Sequence, residues 1–239
     1  MKIGLLQCDH MDTELRIKFG DHSDFFRNLF EKYAPEVSMD IFDIQKDEYP
    51  DEKNNYHGFI GTGSRFSVYD DVPWILRFKD YIKELYHNKI KFIGICFGHQ
   101  IIAEALGGKC SQSAKGWGIG VKTAEIYKKQ PWMSLGMSPE LDSYRLILSH
   151  RDQVETPPPE SEVVGGNDHC PYSMITVGSH FLGIQGHPEF TVPFLSELMQ
   201  SRLELMGRHA VEEAEKTLDQ KTDEAIVVQW MVNFFNTPF

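Results

Sequence analysis

Apolar residues in this chain fall into two alternating kinds of run. Lys2–Gln7 is a short apolar run and predicts a first strand. Ser23 can cap a helix over Asp24–Tyr33, and Pro35 closes it. Val37–Asp43 alternates apolar and polar residues, which predicts a strand, and His57–Ile60 predicts another that runs into Gly61-Thr62-Gly63-Ser64. Pro73–His87 has helical spacing, with Trp74, Ile75, Phe78, Ile82 and Leu85 near one face. Ile90–Ile95 reads as a buried strand, and a helix follows with Ile101, Ile102, Ala105 and Leu106 on one side and Gly107-Gly108 at its end.

Beyond Gly108 the rhythm changes. Gly118–Ile126, Tyr144–Ser149, Glu162–Gly165, Ser173–Val177 and Phe181–Gln185 predict short strands. Thr156-Pro157-Pro158-Pro159 predicts a rigid surface segment. Pro193–Met206, Ala210–Leu218 and Asp223–Phe235 predict helices. Strands alternating with helices up to Leu106 predict a parallel sheet covered on both faces, with a site at the carboxyl ends of its strands. The expected architecture is a three-layer, flavodoxin-like α/β domain over residues 1–192. Residues 193–239 would form a helical C-terminal extension packed on the same domain.

Composition narrows the function. The chain has 239 residues with a formal net charge of −11, so bulk neutralisation of nucleic-acid phosphates is not expected. No apolar run is long enough to cross a membrane, and the N-terminal run is too short for a signal peptide. The four cysteines are scattered, without C-x-x-C spacing. That fits a reducing cytoplasm and predicts neither a disulfide framework nor a metal site.

The candidate chemistry lies where two buried strands end. Gly94-Ile95-Cys96-Phe97-Gly98 joins a strand to a helix in the manner of a nucleophile elbow. The elbow projects Cys96, and the helix N-terminus favours negative charge there, as a thiolate nucleophile needs. A buried structural cysteine is the alternative. Phe181–Gln185 ends in Gly186-His187-Pro188-Glu189. His187 and Glu189 project to the same side of an extended backbone, and a carboxylate beside an imidazole fixes its tautomer and stabilises its protonated form. Of ten histidines, His187 stands out because it leaves a buried strand as Cys96 does.

Gly94-Ile95-Cys96-Phe97-Gly98-His99-Gln100 and Gly186-His187-Pro188-Glu189, in that order, resemble the motifs of class I (triad) glutamine amidotransferases. The resemblance spans roughly residues 40–190. It is closest to the stand-alone, GMP-synthase-like group that includes plant γ-glutamyl peptidases, which Leu106–Lys109, Lys115–Gly120 and Ser149–Val154 also suit. It implies Cys96 as nucleophile, His187 as general base and acid, and Glu189 as orienting carboxylate. It further implies an oxyanion hole from the amides of Gly63 and Phe97, with Gln100, His150, Arg151 and Asp152 contacting the substrate and His99 supporting the elbow. The implied reaction is hydrolysis of a γ-glutamyl amide through a γ-glutamyl thioester, without metal or organic cofactor. The chain has no P-loop, so any synthetase that takes the ammonia would be a separate polypeptide. A free-standing hydrolase and a catalytically silent relative are the alternatives, and a homodimer is compatible with the apolar face of Ile226, Trp230 and Phe234-Phe235. One departure concerns the oxyanion loop. Relatives often carry proline there, whereas this chain has Arg65, which would leave the loop less rigid.

Overall fold

The computed structural model describes residues 1–51, 53–134 and 141–238. Its strands are β1 (Lys2–Gln7), β2 (Ser38–Asp43), β3 (Phe59–Gly61), β4 (Phe92–Ile95), β5 (Lys109–Gln112), β6 (Gly118–Ile126), β7 (Ser143–His150), β8 (Asp152–Thr156), β9 (Ser161–Gly166), β10 (Met174–Val177) and β11 (Phe181–Ile184). Its α-helices are α1 (Thr13–Phe19), α2 (His22–Tyr33), α3 (Pro73–His87), α4 (Phe97–Ala105), α5 (Val192–Ser201), α6 (Leu203–Met206), α7 (Arg208–Glu215) and α8 (Glu224–Asn236). Nine strands form one sheet in the order β2-β1-β3-β4-β11-β10-β9-β6-β7, and β5 pairs with β8 apart from it. The β2 to β11 half is parallel; the remainder is antiparallel.

Alternation along the strands divides the core. On β4, Ile93 and Ile95 face a cluster with Phe26 and Phe30 of α2 and Val227 and Trp230 of α8. Phe92 faces the opposite cluster, with Phe78 and Ile82 of α3 and Ile101 of α4. Helices therefore cover both faces, the expected three-layer arrangement. A third cluster joins Leu15 of α1, Phe194 and Leu198 of α5 and Val211 of α7 to Ile119 and Val121 of β6.

Several boundaries differ from the sequence expectation. Helix α2 begins at His22, and Asp21 rather than Ser23 is its cap. The Asp21 side chain accepts from backbone amides while Asp24 reaches back to the Asp21 amide, a reciprocal capping box. The segment read as one helix over Pro193–Met206 is two, broken at Arg202. Helix α1 and the β5–β8 pair have no counterpart in the sequence expectation. Only Leu15 is buried on α1, and β5 and β8 are short and largely polar, so none carries a strong periodic signal.

Sheet order explains where a site can form. β3, β4 and β11 are parallel neighbours, so their carboxyl ends open side by side. They deliver Thr62-Gly63, Cys96 and Gln185–His187 respectively. The antiparallel half curls back until β7 meets the chain leaving β11, where the His187 amide donates to the Ile147 carbonyl at 2.8 Å.

Candidate active site

Cys96 lies between β4 and α4 with φ 52° and ψ −99°. A side chain with positive φ is unfavourable, and such strain is characteristic of nucleophile elbows. The flanking glycines make the turn feasible. A Cβ on Gly94 would lie 2.1 Å from the Gly98 carbonyl oxygen, and one on Gly98 would lie 2.4 Å from that of Gly61. Strand and helix thus approach at backbone contact. The Cys96 amide donates to Ile184 of β11 at 2.9 Å, locking the elbow to the strand that leads to His187.

His187 Nδ1 lies 2.7 Å from Glu189 Oε1, and both side chains are almost wholly buried. Nε2 is left to face the nucleophile, and the imidazole interacts with the Cys96 thiol. Burial would depress the His187 pKa, but the Glu189 carboxylate and Cys96 outweigh it and raise the group to about 10. Phe190 stacks on the ring at 3.9 Å between centroids, with the two ring planes nearly parallel. Carboxylate and Phe190 together hold the imidazole in one orientation. Sequence reasoning missed Phe190, whose position beside the His-Pro-Glu run carries no signal of stacking.

Gly63 faces the same point. A Cβ there would lie 3.0 Å from His187 Cε1 and 3.7 Å from Cys96 Cβ, so a glycine suits this position. Thr62 Oγ1 accepts from the Cys8 amide at 2.9 Å and donates to the Gly63 carbonyl at 3.0 Å, tying the loop to the end of β1. The Phe97 amide is at the first position of α4 and has no acceptor within the helix. Arg65, the residue that stands where relatives often carry proline, is engaged by two carboxylates. Its amide donates to Asp9 Oδ2 at 2.8 Å, and its guanidinium reaches Asp12 at 2.7 Å and Asp9 at 3.3 Å. Buried Asp9 thus ties the loop to the segment that follows β1.

A cleft of about 400 Å³ opens over Cys96. Gln100, His150, Arg151 and Asp152 all line it. Gln100 donates to the Asp152 carbonyl at 2.7 Å and to Gln185 Oε1 at 3.1 Å, so its amide is oriented by protein. Asp152 accepts from Ser67 at 2.5 Å. His150 is buried and held far down, to about 3, first by desolvation, so it lines the cleft as a neutral ring. His99 is fully buried, its ring where a Cβ on Gly183 of β11 would fall. The cleft also contains Trp117, Ser149 and Arg202, and the Ser149 hydroxyl is buried with no hydrogen-bond partner among the described residues. Sequence reasoning did not single out Arg202, because it falls inside a run read as one amphipathic helix.

A cysteine on a strained elbow and an imidazole fixed by a carboxylate, at the carboxyl ends of parallel strands, form the kind of arrangement that triad-type cysteine hydrolases use. The glutamine amidotransferase class-I family model matches residues 25–199, and the chain belongs to that family. It is a cysteine amidohydrolase. Among curated relatives, γ-glutamyl peptidase 3 of Arabidopsis thaliana is 29% identical over 97% of this chain and 94% of its own length. γ-Glutamyl peptidase 2 of the same plant is 32% identical over 83% and 79%. One subunit of the glutamine-hydrolysing GMP synthase of Sulfolobus acidocaldarius is 25% identical over 69% and 84%. A glutamine amidotransferase from Thermotoga maritima superposes with a TM-score of 0.74 at 19% identity, over 98% of this chain and 99% of its own.

Proposed function

We propose that the protein hydrolyses γ-glutamyl amides through a Cys96 thioester, with His187 and Glu189 completing the triad. The observation that carries this reading is the 2.7 Å His187–Glu189 bond beside Cys96 at the floor of one cleft. The Cys96 thiolate attacks the γ-carbonyl, and the amides of Gly63 and Phe97 receive the negative charge that develops on oxygen. As the C–N bond breaks, His187 gives its proton to the departing nitrogen, and Glu189 stabilises the imidazolium until it does so. Water then loses a proton to His187 and attacks the thioester, releasing glutamate and restoring the thiol. Gln100 would contact the glutamyl side chain, and the Ser149–Asp152 segment its α-amino and α-carboxylate groups.

Glutamine and γ-glutamyl peptides share this chemistry and differ in the departing nitrogen. The similarity to γ-glutamyl peptidases along nearly the whole chain favours a free-standing hydrolase. Delivery of ammonia to a separate synthetase is the second reading, favoured by the similarity to one component of a GMP synthase. Among the described residues no helix is long and apolar enough to cross a membrane, and the four cysteines are free. The free cysteines accord with our placing the enzyme in the cytoplasm.

The test is to incubate the purified protein with glutamine, glutathione and γ-glutamyl dipeptides and measure glutamate and ammonia. Glutamate should be released. Glu189→Gln should slow turnover by about 100-fold or more, because the imidazolium loses its counter-charge. Turnover unchanged by Glu189→Gln, or no glutamate from any γ-glutamyl compound, would sink the reading.

A further inference from the structure

The cleft above Cys96 has two chambers. The larger holds Gln100 and Asp152; the smaller, about 40 Å³, holds His187 and Gly63. Arg65 and Arg202 line both. In acyl transfer the departing nitrogen takes its proton from His187, so it must stand on the His187 side of the scissile carbon. Arg65 and Arg202 line that chamber too, so a group attached to the nitrogen lies within reach of the two arginines.

Their partners point to the chemistry that fits. Arg65 and Arg202 converge on the carboxylate of Asp12, at 2.7 Å and 3.8 Å, and Arg65 also lies 3.3 Å from buried Asp9. The Asp12 side chain is about half exposed, at the rim. The Arg202 side chain is only 25% exposed, yet among the described residues its guanidinium makes no hydrogen bond, the Asp12 contact being too long for one. A guanidinium presents five donors in a fork suited to carboxylates, and a shielded one gains most from a charged acceptor. Arg202 reaches the cleft because the helical run breaks at this residue, between α5 and α6.

We propose that Arg202, with Arg65 beside it, forms a subsite for a carboxylate on the leaving amine. The preferred substrates are then γ-glutamyl conjugates of amino acids or peptides with a free terminal carboxylate, rather than glutamine. This rests on the hydrolase reading of Cys96, His187 and Glu189. Ammonia departing from glutamine has nothing to offer Arg202, whereas an amino-acid leaving group displaces the half-exposed Asp12 carboxylate and takes its place between the guanidinium groups.

The experiment compares kcat/KM for γ-glutamylglycine and γ-glutamylglycinamide, which differ only in the terminal charge. The wild-type enzyme should favour the acid by about tenfold or more, the scale of one charge-assisted hydrogen bond. Arg202→Gln should bring the ratio close to one, through KM for the acid, and Arg202→Lys should keep part of the preference. A wild-type ratio near one, or a ratio unchanged in a folded Arg202→Gln protein, overturns the subsite. Should Arg202→Gln fail to fold, the wild-type ratio and its fall with added salt decide the matter. If glutamine and the amide are cleaved without preference for the acid, the subsite alone fails. If no γ-glutamyl compound is cleaved, the hydrolase reading fails with it.

Discussion

At the residue scale, the four cysteines separate cleanly. Desolvation pushes the pKa of Cys8, Cys110 and Cys170 well above the ordinary thiol range, which leaves them inert. Cys96 opens into the cleft beside an imidazole. A brief exposure to a glutamine-analogue electrophile at neutral pH should therefore label Cys96 first, located by peptide mass spectrometry; prior labelling of another cysteine would contradict the elbow assignment. His187 sets a pH dependence as well. Its folded pKa is raised to about 10 against an ordinary value of 6.5, so folding binds a proton between those values. The stability it contributes is complete below pH 6.5 and disappears as pH rises through 10. The melting temperature of the wild type should thus fall more between about pH 7 and 10 than that of His187→Gln. Parallel profiles would mean that the imidazole is not held protonated. The cysteine and histidine were legible in sequence because each leaves a buried strand. Phe190 and Arg202 were not, because stacking on His187 and a helix break that turns a charge inward leave no trace in hydrophobic spacing.

At the scale of elements, the site depends on one strand–helix approach. β4 and α4 meet at backbone contact because Gly94 and Gly98 carry no Cβ. Gly94→Ala would place a methyl group 2.1 Å from a backbone carbonyl oxygen, and a backbone cannot swing aside as a flexible side chain can. We expect a loss of about 3 kcal/mol or more in urea unfolding, with Cys96 labelling slowed in the molecules that remain folded. Gly116→Ala is the control. Gly116 has φ +78° but open space around it, so the cost should be only about 1 kcal/mol, from backbone strain alone. Equal losses in the two variants would show that contact with α4 is not what selects glycine at position 94. This approach was foreseeable, since strand, G-x-C-x-G and amphipathic helix are contiguous in the chain. The β5–β8 pair was not. Its residues alternate weakly and their partners lie far apart in sequence, so only the tertiary fold decides that they pair.

At the scale of the whole molecule, the last helix could cover the domain or dock a partner. Its apolar residues fit either role from sequence alone, since Trp230, Phe234 and Phe235 are the kinds of side chain that anchor interfaces. In the structure Val227, Trp230, Met231 and Phe234 are buried against the sheet and α2 within the single chain. Trp132 stacks edge-on to Trp230 and Phe234, and Asn233 Nδ2 donates to the Trp132 carbonyl at 2.9 Å. Asp223, just ahead of the helix, exchanges backbone and side-chain hydrogen bonds with Arg145 of β7 at 2.8 Å each. Removal of α8 would expose one face of the strands that carry Cys96 and His187, including Ile95 and Ile184. A chain ending at Thr222 should therefore be insoluble, or should keep its far-ultraviolet circular dichroism while losing near-ultraviolet signal and binding a hydrophobic dye. Trp230→Ala, a milder change, should cost about 3–5 kcal/mol and leave a folded protein if the starting stability allows it. A truncated chain that stays folded and active but sediments as a smaller species would instead make α8 an interface between copies, and its burial within one chain would then be incidental to stability.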